Sequence, residues 1–161
     1  MSPVTQVIDR IARFILAVDD HDWAGVTSCL GTTVRRDYRS LTGAAPDEIG
    51  GPELVAEWEG ALRGLDAHQH LLGAPVVDVD GSGDEAQAAA HVIGTHVLDG
   101  DPGSPWVVGG TYRFALRRIG DRWWIVALTL DTRWQTGDGT LLQRAAARPV
   151  GTSTTDAHPA R

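Results

Sequence analysis

The chain has 161 residues, a net charge of −7 and 42% hydrophobic content, which suits one globular domain with a sizeable core. All fourteen basic residues are arginine, so lysine Schiff bases, pyridoxal phosphate attachment and a P-loop lysine are excluded. The arginines are scattered rather than striped, which argues against a nucleic-acid partner, and no apolar run approaches the roughly 18 residues of a membrane span. Met1-Ser2-Pro3 lacks the basic and apolar regions of a signal peptide, so a soluble cytoplasmic protein with no membrane partner is expected.

In chain order, Val7, Ile8, Ile11, Phe14, Ile15 and Val18 recur at helical spacing and predict a first helix over Val4–Val18. Asp19 follows Ile15 by four positions and so ends the same face. Asp22 is a predicted N-cap for a short helix from Trp23 to Leu30. Cys29 falls on that apolar stripe and, having no cysteine partner, reads as a small buried hydrophobe rather than a nucleophile. Thr32–Ser40 is β-like, and the Gly-, Ala- and Pro-rich stretch Leu41–Gly51 reads as a loop. Pro52 opens a third helix that would bury Leu54, Val55, Trp58, Leu62 and Leu65.

Four long strands follow, over His68–Val79, Ala86–Leu98, Trp106–Ile119 and Arg122–Trp134. Turn signals at 80–83, 99–103 and 120–121 separate them, and such short connections imply antiparallel neighbours. Helices first and a strongly curved sheet afterwards make an α+β layout. Gly109-Gly110 within a strand predicts a bend or a close backbone approach. A single domain over 1–147 is expected, with a flexible polar tail over 148–161.

Several ionisable or phenolic side chains fall on otherwise apolar faces. Asp19 reads alone as a solvated helix end; if buried it needs a hydrogen-bonded partner, for which a histidine is suited. His68 and His70, two apart in a strand, share one face. The pair is compatible with a metal site, but completing one needs a further carboxylate and histidine at suitable places and no Glu follows in the strand, so a catalytic histidine oriented by one carboxylate fits better. His96 shares its face with Ala90, Val92 and Gly94, a small apolar run that leaves room for a ligand, while His91 faces the opposite way. Tyr38 and Tyr112 read as core aromatics, or as phenols able to polarise a carbonyl from an apolar wall.

The strings Asp20-His21-Asp22-Trp23, Ser28-Cys29-Leu30 and Arg36-Asp37-Tyr38-Arg39-Ser40 resemble scytalone dehydratases. So do Gln69-His70 followed by Gly73, the spacing to His96, and Trp124 with Asp131-Thr132-Arg133-Trp134. The resemblance covers about residues 5 to 140, within the wider nuclear transport factor 2-like superfamily that holds SnoaL-like polyketide cyclases and lindane dehydrochlorinase. It implies a cone of helices against a curved sheet, a homo-oligomer (trimer or dimer) and no metal or organic cofactor. It makes His70 the general base, Asp19 the carboxylate that orients it, His96 a second active-site histidine and Tyr38 one of two tyrosines that hold a water on a substrate carbonyl.

The departures from the family fall among the substrate-reading groups. The second tyrosine is Val18 here, an asparagine is replaced by Tyr112 and a serine by Gly110. The lysine and arginine of the dehydrochlorinase fall on Phe14 and Thr129, which puts halide elimination in doubt. Substrate contacts are therefore assigned to Tyr112, Val18, Phe14, Val92 and Gly110. The expected function is dehydration of a small cyclic or polyketide-type hydroxyketone, with His96 or His70 protonating the departing hydroxyl. A cyclase or isomerase using the same proton abstraction, and a non-catalytic small-molecule receptor, are the alternatives. Trp106 and Trp134 read as sheet-packing side chains or as contributors to a subunit contact.

Overall fold

The computed structural model describes residues 1–98 and 105–149. Helix α1 (Pro3–Asp19) starts where Ser2 accepts the Thr5 amide at 3.2 Å and Pro3 supplies a preset backbone angle. Its apolar stripe is buried as predicted, through Val7, Ile11, Phe14, Ile15 and Val18. Asp22 caps α2 (Trp23–Thr27) by accepting the Gly25 amide at 2.9 Å. This helix stops short of Leu30, because Leu30 already pairs with Ile125 in the sheet. Cys29 is buried as expected.

Strand β1 (Leu30–Asp37) lies parallel to β7 (Arg122–Thr136), although every other pairing among the described residues is antiparallel. The predicted loop 41–51 contains the end of a one-turn helix, α3 (Arg39–Thr42), and a strand, β2 (Asp47–Gly50), paired with β1. No hydrophobic alternation announces β2. The Arg36 guanidinium holds it instead, with two bonds to Asp47 at 3.0 and 2.6 Å. Helix α4 (Gly51–Leu62) carries Pro52 in its first turn and buries Leu54, Val55 and Leu62.

The predicted strand over His68–Val79 is two strands, β3 (Ala67–Leu72) and β4 (Val76–Val79), interrupted by Gly73-Ala74-Pro75. Both pair with the long β5 (Glu85–Val97), which meets β6 (Trp106–Ile119) on its other side. The sheet order is β2-β1-β7-β6-β5-β3, with β4 also on β5. Register shifts between β6 and β7 at Gly109/Gly110 and at Ala115/Leu116 bend these strands. A short helix absent from the prediction, α5 (Leu141–Ala146), buries Leu141 and Ala145.

The predicted turn over 99–103 and most of the polar tail lie outside the described residues. Arg148, at the predicted start of the tail, bonds Asp66 at 2.6 Å and the Gly64 carbonyl at 3.1 Å. The α+β expectation holds: α1 and α4 cover one face of a mixed, mostly antiparallel sheet. Among the described residues no helix is long and apolar enough to cross a membrane.

Candidate active site

A cavity of about 270 Å³ lies between the helices and the concave face of the sheet. Its walls are mostly apolar, with Phe14, Ile15 and Val18 from α1, Trp58 and Leu62 from α4, and Leu142 from α5. Phe14 meets Trp58 with ring centres 5.8 Å apart.

Asp19 is the last residue of α1, and the stripe that buries Phe14 and Ile15 turns its carboxylate toward β3. There it accepts twice from His70: Oδ1 from the ring Nδ1 and Oδ2 from the backbone N–H, both at 2.7 Å. Burial pushes the Asp19 carboxyl up, but these two bonds outweigh it and hold the group below the usual carboxylate range. The carboxylate therefore stays ionised, and an ionised acceptor requires the proton of His70 on Nδ1. Nε2, the other ring nitrogen, belongs to a residue that lines the cavity and in the neutral ring would carry a lone pair. Gly94 makes room for the ring, since a Cβ there would stand 3.1 Å from His70 Cδ2 and 3.4 Å from His96 Cε1.

His96 enters from β5, on the face shared by Val92 and Gly94, whereas His91 is exposed on the other face. Burial, reinforced by the nearby His70, lowers the His96 pKa to about 4. The ring is neutral near pH 7. Its Nδ1 lies 3.3 Å from the Trp106 carbonyl, which can only accept, so Nδ1 holds the proton and Nε2 is an acceptor. Of the two proton donors expected for a leaving hydroxyl, His96 or His70, the neutral His96 in this tautomer suits accepting a hydrogen bond from the hydroxyl.

Tyr38, the N-cap of α3, and Tyr112 of β6 both line the cavity, and their phenols perturb one another electrostatically. Desolvation raises both phenol pKa values, that of Tyr38 well above the ordinary one, so both remain O–H donors at neutral pH. The charge of Asp19 also raises Tyr112, which brings this pair into the field of the dyad.

The structure thus brings together Asp19, His70, His96, Tyr38, Tyr112, Val18, Phe14 and Val92 around one cavity. Gly110 does not line it. A Cβ at Gly110 would sit 2.4 Å from the Asp131 carbonyl, so this glycine permits a close approach of β6 to β7 at the bulge rather than contact with a substrate. Sequence reasoning missed Arg36 and Glu57, which are ion-paired at the cavity wall. The alternation of β1 was a signal for Arg36, because Arg36 and Val34 share a strand face and Val34 is wholly buried.

Asp19, His68 and His70 also place three ligand-type atoms within 4.8 Å of one another. Those donors are already committed: both Asp19 oxygens accept from His70, and His68 Nε2 faces the Val18 carbonyl at 3.1 Å. A cation there would have to displace these bonds, so the arrangement fits a hydrogen-bonded acid–base pair better than a metal centre.

A family model described as a SnoaL-like domain matches residues 2–129. Among curated proteins none matches significantly. Among solved structures, the Kfla4162 protein of Kribbella flavida superposes with a TM-score of 0.79 at 23% identity, covering 86% of this chain and 95% of that one. A candidate scytalone dehydratase from Novosphingobium aromaticivorans gives 0.72 at 13% identity, covering 84% and 87%. A type 2 hexachlorocyclohexane dehydrochlorinase gives 0.68 at 14% identity, covering 83% and 86%. At these identities the likeness concerns the fold, which is nuclear transport factor 2-like.

Proposed function

Because the chain belongs to the SnoaL-like domain family, whose fold is shared by a candidate dehydratase and a dehydrochlorinase, we propose that it is a dehydratase acting on a small, uncharged cyclic or polyketide-type hydroxyketone without a cofactor. One observation carries the reading: His70 Nδ1 is bonded to Asp19 at 2.7 Å in a residue that lines a mostly apolar cavity, which leaves Nε2 as the ring nitrogen for chemistry.

His70 Nε2 takes the proton α to the substrate carbonyl, and the electron pair moves onto the carbonyl oxygen. Asp19 stabilises the imidazolium so formed. Tyr38 and Tyr112 donate to the developing enolate, directly or through a water. The enolate then re-forms its carbonyl, the β-carbon–oxygen bond breaks, and His70 returns its proton to the departing hydroxyl as water. His96 Nε2 accepts from that hydroxyl beforehand and so orients it. One base that both takes and returns the proton acts on a single face of the substrate, which makes the elimination syn. No net proton is left on the protein.

A ligand carried through purification, found by native mass spectrometry, supplies the substrate class to assay. Turnover should then give a product lighter by one water. An unchanged mass would point instead to an isomerase or cyclase using the same dyad. Removal of His70 by His70→Ala is expected to lower kcat about 10²–10⁴-fold with the circular dichroism spectrum preserved. Full activity in that variant would sink the mechanism. The cavity and the short Asp19–His70 bond both disfavour a purely passive receptor.

A further inference from the structure

The dyad leaves one buried histidine without a role. His68 lies two residues before His70 on the same face of β3, and its side chain is only 1% exposed. Its Nε2 stands 3.1 Å from the Val18 carbonyl and 3.6 Å from Asp19 Oδ1, the oxygen that receives His70. Its Nδ1 stands 3.3 Å from Nε2 of His21. We propose that His68 is a positioning residue that braces the Asp19 carboxylate for His70, and that His21 sets which nitrogen of His68 carries the proton.

The proposal rests on the dyad reading above, and it follows from donor and acceptor logic. The Val18 carbonyl can only accept and so favours a proton on Nε2 of His68, a preference that a donor from His21 to Nδ1 completes. Burial, with the neighbouring His70, keeps the His68 imidazole below its ordinary pKa, so the ring is neutral and Nδ1 is a bare acceptor. His21 then donates to it from Nε2. The backbone supports this assignment: His21 is the non-glycine residue of positive φ, at 56°, among the described residues. That conformation stacks its ring between Trp23, at 5.3 Å, and His68, at 4.8 Å. Thus an exposed residue fixes a tautomer, the tautomer presents an N–H to the end of α1, and the end of α1 carries the catalytic carboxylate. At 3.6 Å the His68 N–H is too far for a good bond to Asp19 but close enough to keep water from its Oδ1. The carboxylate is thereby left to His70.

Long-range nitrogen–proton spectra of the full chain with ¹⁵N-labelled histidine test this without a substrate. In the wild type His68 is expected as the Nε2–H tautomer, and His70 as Nδ1–H with a slowly exchanging downfield proton. His68→Phe keeps the packing and removes both nitrogens, so the His70 Nδ1 proton should exchange with water roughly tenfold faster. His68→Gln, which returns an N–H near Nε2, should restore most of the protection. Unchanged exchange in His68→Phe, or a wild-type His68 protonated on Nδ1, would overturn the proposal. If His68→Phe does not fold, His21→Ala decides, since this exposed change should let His68 populate both tautomers. A His68 that stays wholly Nε2–H in His21→Ala counts against it. Failure to dehydrate any hydroxyketone, with these spectra as expected, would defeat the dehydratase reading and leave this one standing.

Discussion

His96 has 6% of its surface exposed and sits with its ring centre 5.8 Å from that of His70. Burial disfavours its charged form, and the consequence reaches beyond chemistry to stability. Its pKa is about 4 in the folded protein, against about 6.5 in an unfolded chain. Below pH 6.5 the unfolded state binds a proton that the folded state refuses, so stability falls with pH until the folded group titrates near pH 4. Above pH 6.5 the contribution is fully present. The shift corresponds to about 3 kcal/mol over that window, and His68, displaced in the same direction, adds to it. Urea titrations of His96→Gln from pH 4 to 7 are therefore expected to show a shallower loss of stability toward acid than the wild type, by about one proton's slope. Parallel curves would mean that His96 is solvated or charged in the folded state. At this scale little was legible from the residues alone. Asp19 and His70 are 51 positions apart, and each has an ordinary explanation as a helix end or a strand histidine. Only the resemblance to scytalone dehydratases joined them. The tautomers that decide what His70 and His96 can do depend on the Trp106 carbonyl and on Asp19 Oδ1, which no spacing encodes.

Elements were legible where burial writes a period into the sequence. The stripe of α1 and the Pro52 start of α4 gave their helices, and β5 to β7 alternate well enough to place both ends within two residues or so. Where polar contacts or brevity take over, the signal is gone. Strand β2 reads Asp47-Glu48-Ile49-Gly50 and is held by Arg36, while α5 has six residues, too few to show a helical face. Gly110, assigned to substrate contact through the resemblance alone, does not line the cavity, because the bulge brings β6 close to β7 there. The short α5 nonetheless matters to the site. Leu141 is 1% exposed and anchors it, and its neighbour Leu142 lines the cavity. Leu141→Ala should lower the free energy of unfolding by about 2–5 kcal/mol, the usual range for a buried leucine truncated to alanine. A loss below about 1 kcal/mol, measured by urea denaturation, would mean that α5 is not part of the cooperative core.

At the scale of the whole molecule, the face of the sheet turned away from the cavity carries a feature that the core does not require. Leu71 of β3 pairs with Ile93 of β5, Ile93 with Gly109 of β6, and Gly109 with Trp134 of β7. Three of these four side-chain positions are large and apolar, and they are exposed by 68%, 41% and 48% respectively. The glycine between them lets the Trp134 indole lie across β6, where a Cβ at 109 would come within 2.1 Å of that ring. A row of this kind crossing an acidic protein is more than scattered surface hydrophobicity. If the homo-oligomer expected from the resemblance forms, this row is the surface we propose for it, a second copy of the chain being an uncharged match where a net charge of −7 repels contact elsewhere. Trp106, the other tryptophan considered for a subunit contact, is buried and its indole N–H bonds Gln135 at 3.1 Å, so it belongs to the sheet's own packing. Light scattering coupled to size exclusion should give a multiple of the 17.2 kDa chain mass. Ile93→Glu, placing a charge at the centre of the row on a side chain with no role in the core, should return the protein to 17.2 kDa with its circular dichroism unchanged. An unchanged oligomer in Ile93→Glu would move the contact to another face, and a wild-type mass of one chain would mean that the row stays open to water.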